Sequence, residues 1–587
     1  MRRFIVLMAA WLAAAPAAAS VSVVVSPPSA SLAPNGVQQF TAVVSGSTNG
    51  SVRWFVNGVA NGAPSTGIVT NAGLYTAPPD ASARLNVVVE AVPLVAPSVT
   101  GVAAVAVAAG PPPSSLFHVA ITGNDGNSGS ATAPWRTIQH AAATAPAGTA
   151  VWVHAGVYNE LVTITRSGSA AAGFLTLAAA PGEAAVIDGA GLPIPNGQNG
   201  LVTITDASWV RVRGFELRNY ISKTTAAPVG VFVQGAGTHI EILDNHVHDI
   251  ATTLKTAAGD ALGVAVYGSA APASINWLTV SGNVLDHLTT GFSESLSLSG
   301  NVTYWEVTRN VIHDNNNIGI NIEGFYNTAP SPAYDYARLG LVALNTVYNI
   351  TSKSNPAYGG ALGADGIYIN GGAYVTVQDN LVVHADIGIE MASEIPGRAT
   401  VGVLAHANII HHSYVTGLSL GGANLTANGG VRGCVVANNT LFADDTTLSG
   451  SGEVQIQYNA TGNTIIDNIV FASAQGLLFN AFAPGATPAL LDHNLYFTAG
   501  GAAPRWIWRG KSYGDLASLR ANAGQEVHGV YADPQFINPA AGNFTISATS
   551  PAVALGAVLG LAGNGLTDYA GKPRVVLGTI DAGAYQH

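Results

Sequence analysis

Acidic and amide side chains recur at alternate positions in short apolar runs in the middle of the chain. In the run from residue 317 to residue 323 (NIGINIE) the isoleucines share one face of a strand, so Asn321 and Glu323 lie on the other face. The runs DGIYIN, IGIEMASE and EVQIQ alternate in the same way. They place on the outer face Tyr368, Asn370, Glu390, Glu394, Glu453 and Gln455. Carboxyl groups gathered in this way can act as general acids and bases.

We therefore predict a catalytic site built from carboxyl groups. Glu323, Asp365 and Glu390 come from successive runs, and Asp314 lies at the turn before the first of them, within reach of the same edge. Asp365 paired with Glu323 or Glu390 across one strand spacing gives about 5 Å, which suits a retaining glycosidase. Glu323 paired with Glu390 gives about 10 Å, which leaves room for a water molecule and inversion. We favour the one-strand pair and predict that the other outer residues bind substrate.

The strands that carry these residues belong to a repeat. An Asn opens an apolar run at steps of 26 to 38 residues. The leading residues are Asn245, Asn283, Asn310, Asn345, Asn380, Asn408, Asn439, Asn468 and Asn494. Repeats of this length indicate a solenoid, and their uneven spacing favours a parallel β-helix whose loops absorb insertions. We expect each Asn to adopt the left-handed backbone of a corner, and its amide to pair with the Asn of the next coil.

The composition fits a large all-β protein. Of 587 residues, 9% are charged and 48% are hydrophobic, and 68 are glycine, which argues against disorder and against a helical protein. The net charge of -11, without clustered Lys and Arg, argues against nucleic acid as a partner. Cys434 is the single cysteine, so no intramolecular disulfide can form. No later run is long and apolar enough to span a membrane, and we expect a monomer.

Changes of pattern divide the chain into segments. Residues 1–20 combine Arg2 and Arg3, an apolar run and a stretch of small residues, which is typical of a secretory signal. We therefore predict an extracellular or periplasmic protein after removal of this signal. Residues 21–109 show the short alternating strands of a β-sandwich, residues 110–115 form a Pro-rich linker, and residues 116–587 form the β-helix. The linker predicts that the β-helix folds without the sandwich.

Several motifs resemble known families. Trp54 with the Asn-Gly turn that follows, and the segment GLYTAP, resemble bacterial Ig-like domains. The stretch FHVAITGNDGNSGSATAPWRTIQHAAATAPAGTAVWVHAGVYNE contains helical spacing at residues 135–145 and resembles the capped first coil of the pectate-lyase-like superfamily of right-handed parallel β-helices. The segments SESLSLSGNV, NVIHDNNNIGI, GADGIYINGG and IGIEMASE resemble secreted bacterial β-helix proteins of polysaccharide turnover.

Those same segments distantly resemble lacto-N-biosidase-like β-helix glycoside hydrolases. That resemblance implies two carboxyl groups on neighbouring strands. Carried over to this sequence, it makes Asp314 the acid and assigns the partner position to Asn321. An amide cannot serve as nucleophile or base unaided, so Glu323, two residues along on the same face, is the substitute.

The resulting prediction is a glycoside hydrolase without cofactor or metal that acts on a polysaccharide or oligosaccharide. One alternative is a polysaccharide lyase, which abstracts a proton with Lys or Arg and holds Ca²⁺ on clustered Asp. Here Lys255, Lys353 and Lys511 stand alone in the sequence. The other alternative is a non-catalytic adhesin, for which the Ig-like module is equally suited. Histidines recur at similar offsets after the coil Asn, which predicts stacking between coils rather than metal binding.

Overall fold

Each coil of a parallel β-helix contributes one strand to each of three sheets. The computed structural model describes residues 20–80, 83–110, 114–483, 485, 488 and 490–587. The predicted secretory signal therefore lies outside the described residues, apart from Ser20. From residue 115 the chain passes from the first sheet to the second, then to the third, and returns through a loop. The three sheets have 16, 13 and 13 strands.

The strands of the β-helix are short, and successive coils add them in parallel. The first sheet comprises Ser115–Val119, Thr149–Val153, Leu175–Ala179, Val210–Arg213, Gly237–Leu243, Ile275–Ser281, Val302–Thr308, Arg338–Ala343, Ala373–Gln378, Ala399–Val401, Leu404–His406, Gly430–Arg432, Val435–Ala437, Ala460–Thr461, Thr464–Ile466 and Leu490–Asp492. The second sheet comprises Gly156–Tyr158, Ala185–Asp188, Glu216–Arg218, His246–His248, Val284–Asp286, Val311–Asn315, Thr346–Ile350, Leu381–Ala385, Ile409–His411, Thr440–Phe442, Ile469–Ala472, Leu495–Thr498 and Val530–Tyr531. The third sheet comprises Val162–Ile164, Gln198–Thr205, Ala227–Gln234, Leu262–Gly268, Leu296–Gly300, Ile320–Glu323, Asp365–Asn370, Ile387–Ala392, Thr416–Leu420, Val454–Ile456, Leu477–Ala481, Arg505–Trp508 and the antiparallel Lys511–Tyr513. The remaining elements of the β-helix are the strands Tyr220–Ser222, Ile250–Thr252, Phe536–Asn538 and Asn543–Ile546, the α-helices Ile138–Thr144, Leu516–Ala523 and Leu561–Asn564, and the 3₁₀-helices Ser352–Ser354, Pro356–Tyr358 and Pro539–Ala541.

The corner between the first and second sheets carries the buried asparagine ladder that the repeat predicts. From Asn245 to Asn494, each Nδ2 donates to the Oδ1 of the Asn in the next coil at 2.9–3.0 Å. Each such bond contributes about 1 kcal/mol net, and losing one partner leaves a buried polar group unsatisfied. Glu526 closes the ladder by accepting from Asn494 Nδ2 at 2.7 Å.

The left-handed corner residue is not the asparagine, which differs from the sequence prediction. It is the residue before, for example Arg309 at φ 56° and Leu344 at φ 60°. The Asn side chain must enter the buried corner to reach its partners in the adjacent coils. The turn is therefore made one residue earlier, by side chains that point to solvent or to a neighbouring segment.

One hydrophobic core fills the coils. On the third sheet, Ile320, Ile367 and Ile389 lie opposite one another and belong to this core, as the alternation predicts. The predicted cap at the first coil is the α-helix Ile138–Thr144, whose Ile138 packs into the same core. Thr137 begins that helix by accepting the backbone N–H of His140, which satisfies one of its free donors.

The N-terminal strands form a β-sandwich with a separate core that includes Phe40, Trp54 and Tyr75. The strands are Ser22–Ser26, Ser29–Leu32, Val37–Gln39, Thr41–Ser45, Val52–Val56, Val59–Ala60, Gly62–Ala63, Gly67–Val69, Leu74–Thr76, Leu85–Pro93 and Gly101–Val107.

This sandwich packs against the outer face of the first sheet. Val59 contacts Leu341 in a small buried apolar cluster. Ser65 Oγ donates to Glu306 Oε2 at 2.8 Å. We predicted that the linker separates the two parts, but residues 111–113 of that linker lie outside the described residues, and buried contacts cross the boundary. The sandwich therefore covers part of the β-helix surface.

Within the described part of the chain, no helix combines the length and apolarity that a membrane crossing requires.

Candidate active site

The outer face of the third sheet gathers most of the predicted site residues on neighbouring strands. One row crosses successive strands through Asn321, Tyr368, Glu390, Ser419 and Gln455. In the adjacent row, Glu323 lies opposite Asn370. Asp365 begins the strand Asp365–Asn370, between the strands of Glu323 and Glu390. Strand alternation therefore predicts the correct side of the sheet for Asn321, Glu323 and Glu390, but not for Asp365, which has the parity of the core residues.

Carboxyl groups gather on this face, which we call the acidic face, and the pKa values of Glu294, Asp365 and Glu390 are raised first by burial and then by neighbouring carboxylate charges. The members of the acidic face are Asp260, Glu294, Glu323, Asp365, Glu390 and Glu394. Within the described residues, the ion pairs of Lys and Arg are made with other carboxylates. The acidic face thus concentrates negative charge without a cationic partner, which is costly unless protons or a ligand neutralise it.

Asp365 and Glu390 form a carboxyl dyad at the centre of the face. Both are buried, with 2% and 9% of their surfaces exposed. Burial raises the pKa of Glu390 to about 7, while hydrogen bonds from Ser419 and Asp365 oppose that rise. Burial, the charge of Glu390 and the hydrogen bond with Glu390 hold the pKa of Asp365 well above its usual value. Two carboxyl groups in this contact titrate as a pair and share one proton near neutral pH.

The dyad is oriented from the neighbouring coils. Ser419 Oγ donates to Glu390 Oε1 at 2.8 Å, and Gln457 Nε2 donates to Ser419 Oγ at 2.9 Å. Asp365 Oδ1 has no hydrogen-bond partner among the described residues. Glu390 is therefore held in place, while one buried oxygen of its partner is left to bind a proton, water or substrate.

Glu294 and Glu323 make a second acidic pair on the preceding strands. Asn321 Nδ2 donates to Glu323 Oε1 at 2.7 Å, and Asn321 also bonds Glu294. Burial raises the pKa of Glu323 to about 7, although the Ser299 hydroxyl opposes the rise. Burial, followed by the charge of Glu323, holds the pKa of Glu294 well above its usual range. Asn321 thus orients both carboxyl groups.

The rim of the acidic face is built by loop residues. The Tyr326 hydroxyl donates to Glu394 Oε2 at 2.5 Å and accepts from Asn370 Nδ2 at 2.8 Å. The Glu394 backbone N–H in turn donates to Asn370 Oδ1 at 3.1 Å. Tyr326 and Glu394 are exposed, whereas Asn370 is buried beneath them. A ligand that reaches the dyad from solvent passes this network.

An aromatic pair, of which Phe292 is exposed and Tyr358 half-buried, lies beside the acids. The rings of Phe292 and Tyr358 stack at 5.0 Å and 15°, and Phe292 has 44% of its surface exposed. The charges of Asp365 and Glu294 contribute to a raised pKa of Tyr358, whose first cause is burial, so this ring is near both acidic pairs. Aromatic faces of this kind bind the apolar faces of flat ligands such as sugar rings.

Tyr368 differs from the prediction that it is exposed. It occupies the outer row, but only 4% of its surface is accessible, because Ile318 and Ala392 pack against it. It therefore forms part of the floor under the acidic face. Strand alternation assigns a side of the sheet, but it does not reveal whether neighbouring side chains cover that side.

Asp314 is not brought to the acidic face. It lies on the second sheet, in the strand Val311–Asn315, with a left-handed backbone at φ 53°. His313 Nδ1 lies 2.7 Å from its Oδ2, and Asn349 Nδ2 donates to Oδ1 at 2.9 Å. The prediction failed because residues 311–315 form a full strand of the second sheet, not a turn at the edge of the third.

Glu453 also lies apart from the other predicted residues. It is fully buried and paired with Asp444, whose backbone N–H donates to Glu453 Oε2 at 2.9 Å. Gln475 Nε2 donates to its other oxygen at 3.1 Å. Burial, then the charge of Asp444, holds the pKa of Glu453 well above its usual range. We predicted an exposed substrate contact, whereas the irregular start of the strand Val454–Ile456 turns this side chain into a buried carboxyl pair.

Sequence reasoning missed Glu294 and Tyr326. Glu294 precedes the strand Leu296–Gly300, whose serines alternate with buried leucines. Extending the strand alternation one run towards the N-terminus identifies this strand, but it places Glu294 on the side of the buried Leu296 and Leu298, so alternation alone would not have selected Glu294. Tyr326 comes from the loop between the strands Ile320–Glu323 and Arg338–Ala343, where no periodicity predicts its direction.

Comparison with known proteins gives related sequences and folds. A model of the Pel9A-like right handed beta helix region matches residues 117–275. The uncharacterized protein YwoF of Bacillus subtilis is 33% identical over 437 residues, which cover 74% of this chain and 92% of YwoF. Pectate lyase PEL9 of Emericella nidulans is 31% identical over 147 residues, 23% of this chain and 32% of PEL9. The predicted right-handed parallel β-helix is confirmed.

Two solved structures are also similar. The complex of XylC with xylose covers 80% of this chain and 98% of its own, with a TM-score of 0.47 and 13% identity. Pectate lyase Pel9A covers 81% of this chain and 96% of its own, with a TM-score of 0.41 and 13% identity.

Proposed function

The chain belongs to the same family as YwoF, a family of right-handed β-helix proteins, and we propose that it hydrolyses glycosidic bonds at the acidic face. The observation that carries this proposal is the Asp365–Glu390 dyad, two buried carboxyl groups in hydrogen-bond contact. A general acid works best when its pKa lies near the working pH, and the pKa of Glu390 is raised to about 7.

In this proposal the Asp365–Glu390 dyad is the general acid. Its shared proton is transferred through Glu390 to the glycosidic oxygen as the bond to the anomeric carbon breaks. Glu323, held by Asn321, accepts a proton from the water that attacks the anomeric carbon from the opposite side. Glu323 then releases its proton to solvent and the dyad takes one up, which restores the starting protonation states. Phe292 and Tyr358 offer a stacking surface for the adjacent sugar.

The separation of the carboxyl groups favours inversion. The members of the dyad touch each other, so they are closer than the 5–5.5 Å or so of retaining glycosidases and cannot stand on opposite sides of a sugar. Glu323 and Glu390 are two strands and two residues apart, so their Cα atoms are about 12 Å apart, and side chains that lean towards each other bring the carboxyl groups into the roughly 6.5–9.5 Å range of inverting enzymes. We therefore propose the two-strand pair in place of the one-strand pair favoured by the sequence.

A lyase is a second candidate function, which the similarity to pectate lyase PEL9 favours. The acidic face would then hold Ca²⁺ through carboxylate oxygens and bind a uronic acid through that ion. The absence of an ion-paired Lys or Arg among the described acidic-face residues leaves this reaction without an evident base. Hydrolysis needs no such residue.

Product chemistry distinguishes these functions. The protein is incubated with a panel of neutral and uronic-acid glycans, and reducing ends, ultraviolet absorbance and anomeric configuration are recorded. Hydrolysis produces new reducing ends without an unsaturated sugar, and the first product has inverted configuration. Calcium-dependent ultraviolet absorbance means a lyase. Binding without any product, across the panel, means an adhesin and overturns the enzymatic proposal.

We further propose that the protein is exported after cleavage near residue 20, on the basis of the N-terminal pattern. N-terminal sequencing of protein recovered outside the cytoplasm tests this. A mature protein that retains residues 1–20 contradicts it.

A further inference from the structure

A cluster of possible metal ligands lies at the C-terminal end of the β-helix, on a different sheet from the acidic face. Asp492 ends the strand Leu490–Asp492, His493 follows at a left-handed corner with φ 56°, and His528 precedes the strand Val530–Tyr531. One ligand atom from each residue lies within 4.8 Å of the others. Asp492 Oδ2 is 2.8 Å from His528 Nδ1 and 4.0 Å from His493 Nε2.

Hydrogen bonds orient two of the three ligands. The Nδ1 of His493 lies 2.7 Å from the carbonyl oxygen of Leu555, so this nitrogen carries the proton and the lone pair is on Nε2, which faces the cluster. Asp492 Oδ1 accepts the backbone N–H groups of His528 at 2.6 Å and His493 at 2.9 Å. Its Oδ2 is thereby directed towards both rings. Ligating histidines commonly donate their other nitrogen to a backbone carbonyl in this way.

We propose that Asp492 Oδ2, His493 Nε2 and His528 Nδ1 bind a divalent transition metal, with Zn²⁺ as the best match. Two imidazoles and one carboxylate are ligands that Zn²⁺ accepts, and water completes a tetrahedron. Metal–ligand bonds of about 2.0–2.2 Å require ligand atoms a little over 3 Å apart. The two rings stack at 4.4 Å and 22°, so metal binding requires the rings to rotate until their lone pairs point at one ion.

The site joins segments that are distant in sequence. Asp492 ends the last strand of the first sheet and His493 follows it, while His528 belongs to the loop after the helix Leu516–Ala523 and Leu555 to the C-terminal segment. The metal therefore closes the end of the β-helix and stabilises it, and it takes no part in the reaction at the acidic face. Binding energy of this kind adds directly to the stability of the folded state.

The test uses the whole mature chain, stripped of metal with EDTA. Calorimetric titration with Zn²⁺ is expected to give one site, and the melting temperature is expected to rise with free Zn²⁺ and to fall again when EDTA is added. A Co²⁺ titration followed by visible absorption is expected to show the intense bands of tetrahedral coordination. Absence of saturable one-site binding overturns the proposal.

Two variants locate the metal. His528→Ala is expected to weaken Zn²⁺ binding by more than roughly 100-fold, beyond what loss of an outer-shell partner costs. Because the His528 side chain is 60% exposed, the metal-free variant is expected to melt near the wild-type temperature. His287→Ala is the matched control, because His287 Nδ1 also lies 2.9 Å from an Asp oxygen. Equal Zn²⁺ affinity of His528→Ala and wild type overturns the assignment, since the metal then lies elsewhere.

Discussion

Two outer faces of the β-helix carry carboxyl groups on strands with the same spacing, but the neighbours of these groups differ, and so do their pKa values. On the second sheet, Asp188 lies opposite Arg218, and Asp286 lies between His248 and His313. We call these residues the charge ladder. Acids there alternate with bases. On the acidic face of the third sheet, acids meet acids.

The pKa values of the two faces move in opposite directions. Burial would raise the pKa of Asp286, but hydrogen bonds from His287 and His246 hold it below its usual value. Burial would likewise raise the pKa of Asp188, which the Ala190 backbone N–H and Arg218 lower. On the acidic face, burial raises the pKa of Glu390 to about 7. The fold therefore accommodates acids beside bases as well as acids beside acids, but only the acids beside bases, in the charge ladder, stabilise the folded protein.

This contrast separates stability from function. Burying carboxyl groups together costs stability, so a chain that maintained stability alone would place cations beside them. Local features that oppose folding are concentrated where activity requires them. The acidic face has this character, and the charge ladder does not.

The largest expected effect is on activity. Glu390→Gln removes the proton donor of the dyad and is expected to reduce kcat by a factor of about 10²–10⁴, with stability retained. Hydrolysis rates and melting temperatures are measured for the variant and for Glu216→Gln, which alters a carboxylate on the second sheet. Full activity in Glu390→Gln would contradict the proposal that the acidic face catalyses hydrolysis.

The next effect concerns stability against pH. An acid whose folded pKa is raised stabilises the fold below its unfolded pKa, and this contribution is lost as pH rises through the folded pKa. Stability is therefore expected to fall between about pH 4.5 and pH 7 by roughly 1–3 kcal/mol for each of Glu323 and Glu390, whose pKa values are raised to about 7. Chemical denaturation from pH 4.5 to pH 8 measures it. Glu323→Gln is expected to make this fall in stability with pH less steep. An equally steep fall in that variant would contradict the raised pKa of Glu323.

A smaller effect of opposite sign is expected on the charge ladder. An acid with a lowered folded pKa contributes stability above its unfolded pKa, and this is lost as pH falls through the folded value. Asp286→Asn is expected to destabilise the protein by about 1 kcal/mol at pH 7, because the wild-type carboxylate accepts hydrogen bonds from histidines at that pH. The difference in stability between variant and wild type is expected to shrink below pH 4. Activity is expected to persist. Denaturation midpoints at both pH values check the sign, and a variant more stable than wild type at pH 7 would contradict it.

The smallest effect is expected at Asp314, the acid that the sequence resemblance selects. Its side chain is 41% exposed and lies on the second sheet, so Asp314→Asn is expected to change stability by less than about 0.5 kcal/mol. The hydrolysis rate is expected to equal that of wild type. Loss of activity in this variant would show that the acidic face is not the site of the reaction.

The sequence predicts the repeat, the asparagine ladder and the alternation of the third sheet, because each depends on short-range periodicity. Alternation identifies Glu323 and Glu390 as residues of one outer face, whereas Asp365 shares the parity of the core residues Ile367 and Ile369 and is selected only by its place at the start of a neighbouring strand. Alternation does not show whether neighbouring side chains cover a residue, so it predicts that Tyr368 is exposed, whereas the structure buries it. Alternation also gives no information about loops, and Tyr326 lies in a loop.

Contacts between distant segments are the other part that the sequence does not predict. Docking of the sandwich on the first sheet depends on shape matching between surfaces, such as Val59 against Leu341, and leaves no periodic pattern. The cluster of Asp492, His493 and His528 forms only when the C-terminal segment folds back on the last coil. Spacing along the chain therefore gives no signal for it.

Our central claim is that burial raises the pKa values of Glu323 and Glu390 on the acidic face to about 7, whereas hydrogen bonds outweigh burial and lower those of Asp188 and Asp286 on the charge ladder. The most direct measurement is a ¹³C NMR titration of protein labelled at the side-chain carboxyl carbons of Glu and Asp, with Glu323→Gln, Glu390→Gln and Asp286→Asn assigning the resonances. We predict that the Glu323 and Glu390 resonances titrate near pH 7, whereas that of Asp286 titrates below its usual range. Titration of Glu323 and Glu390 below pH 5 would contradict the account.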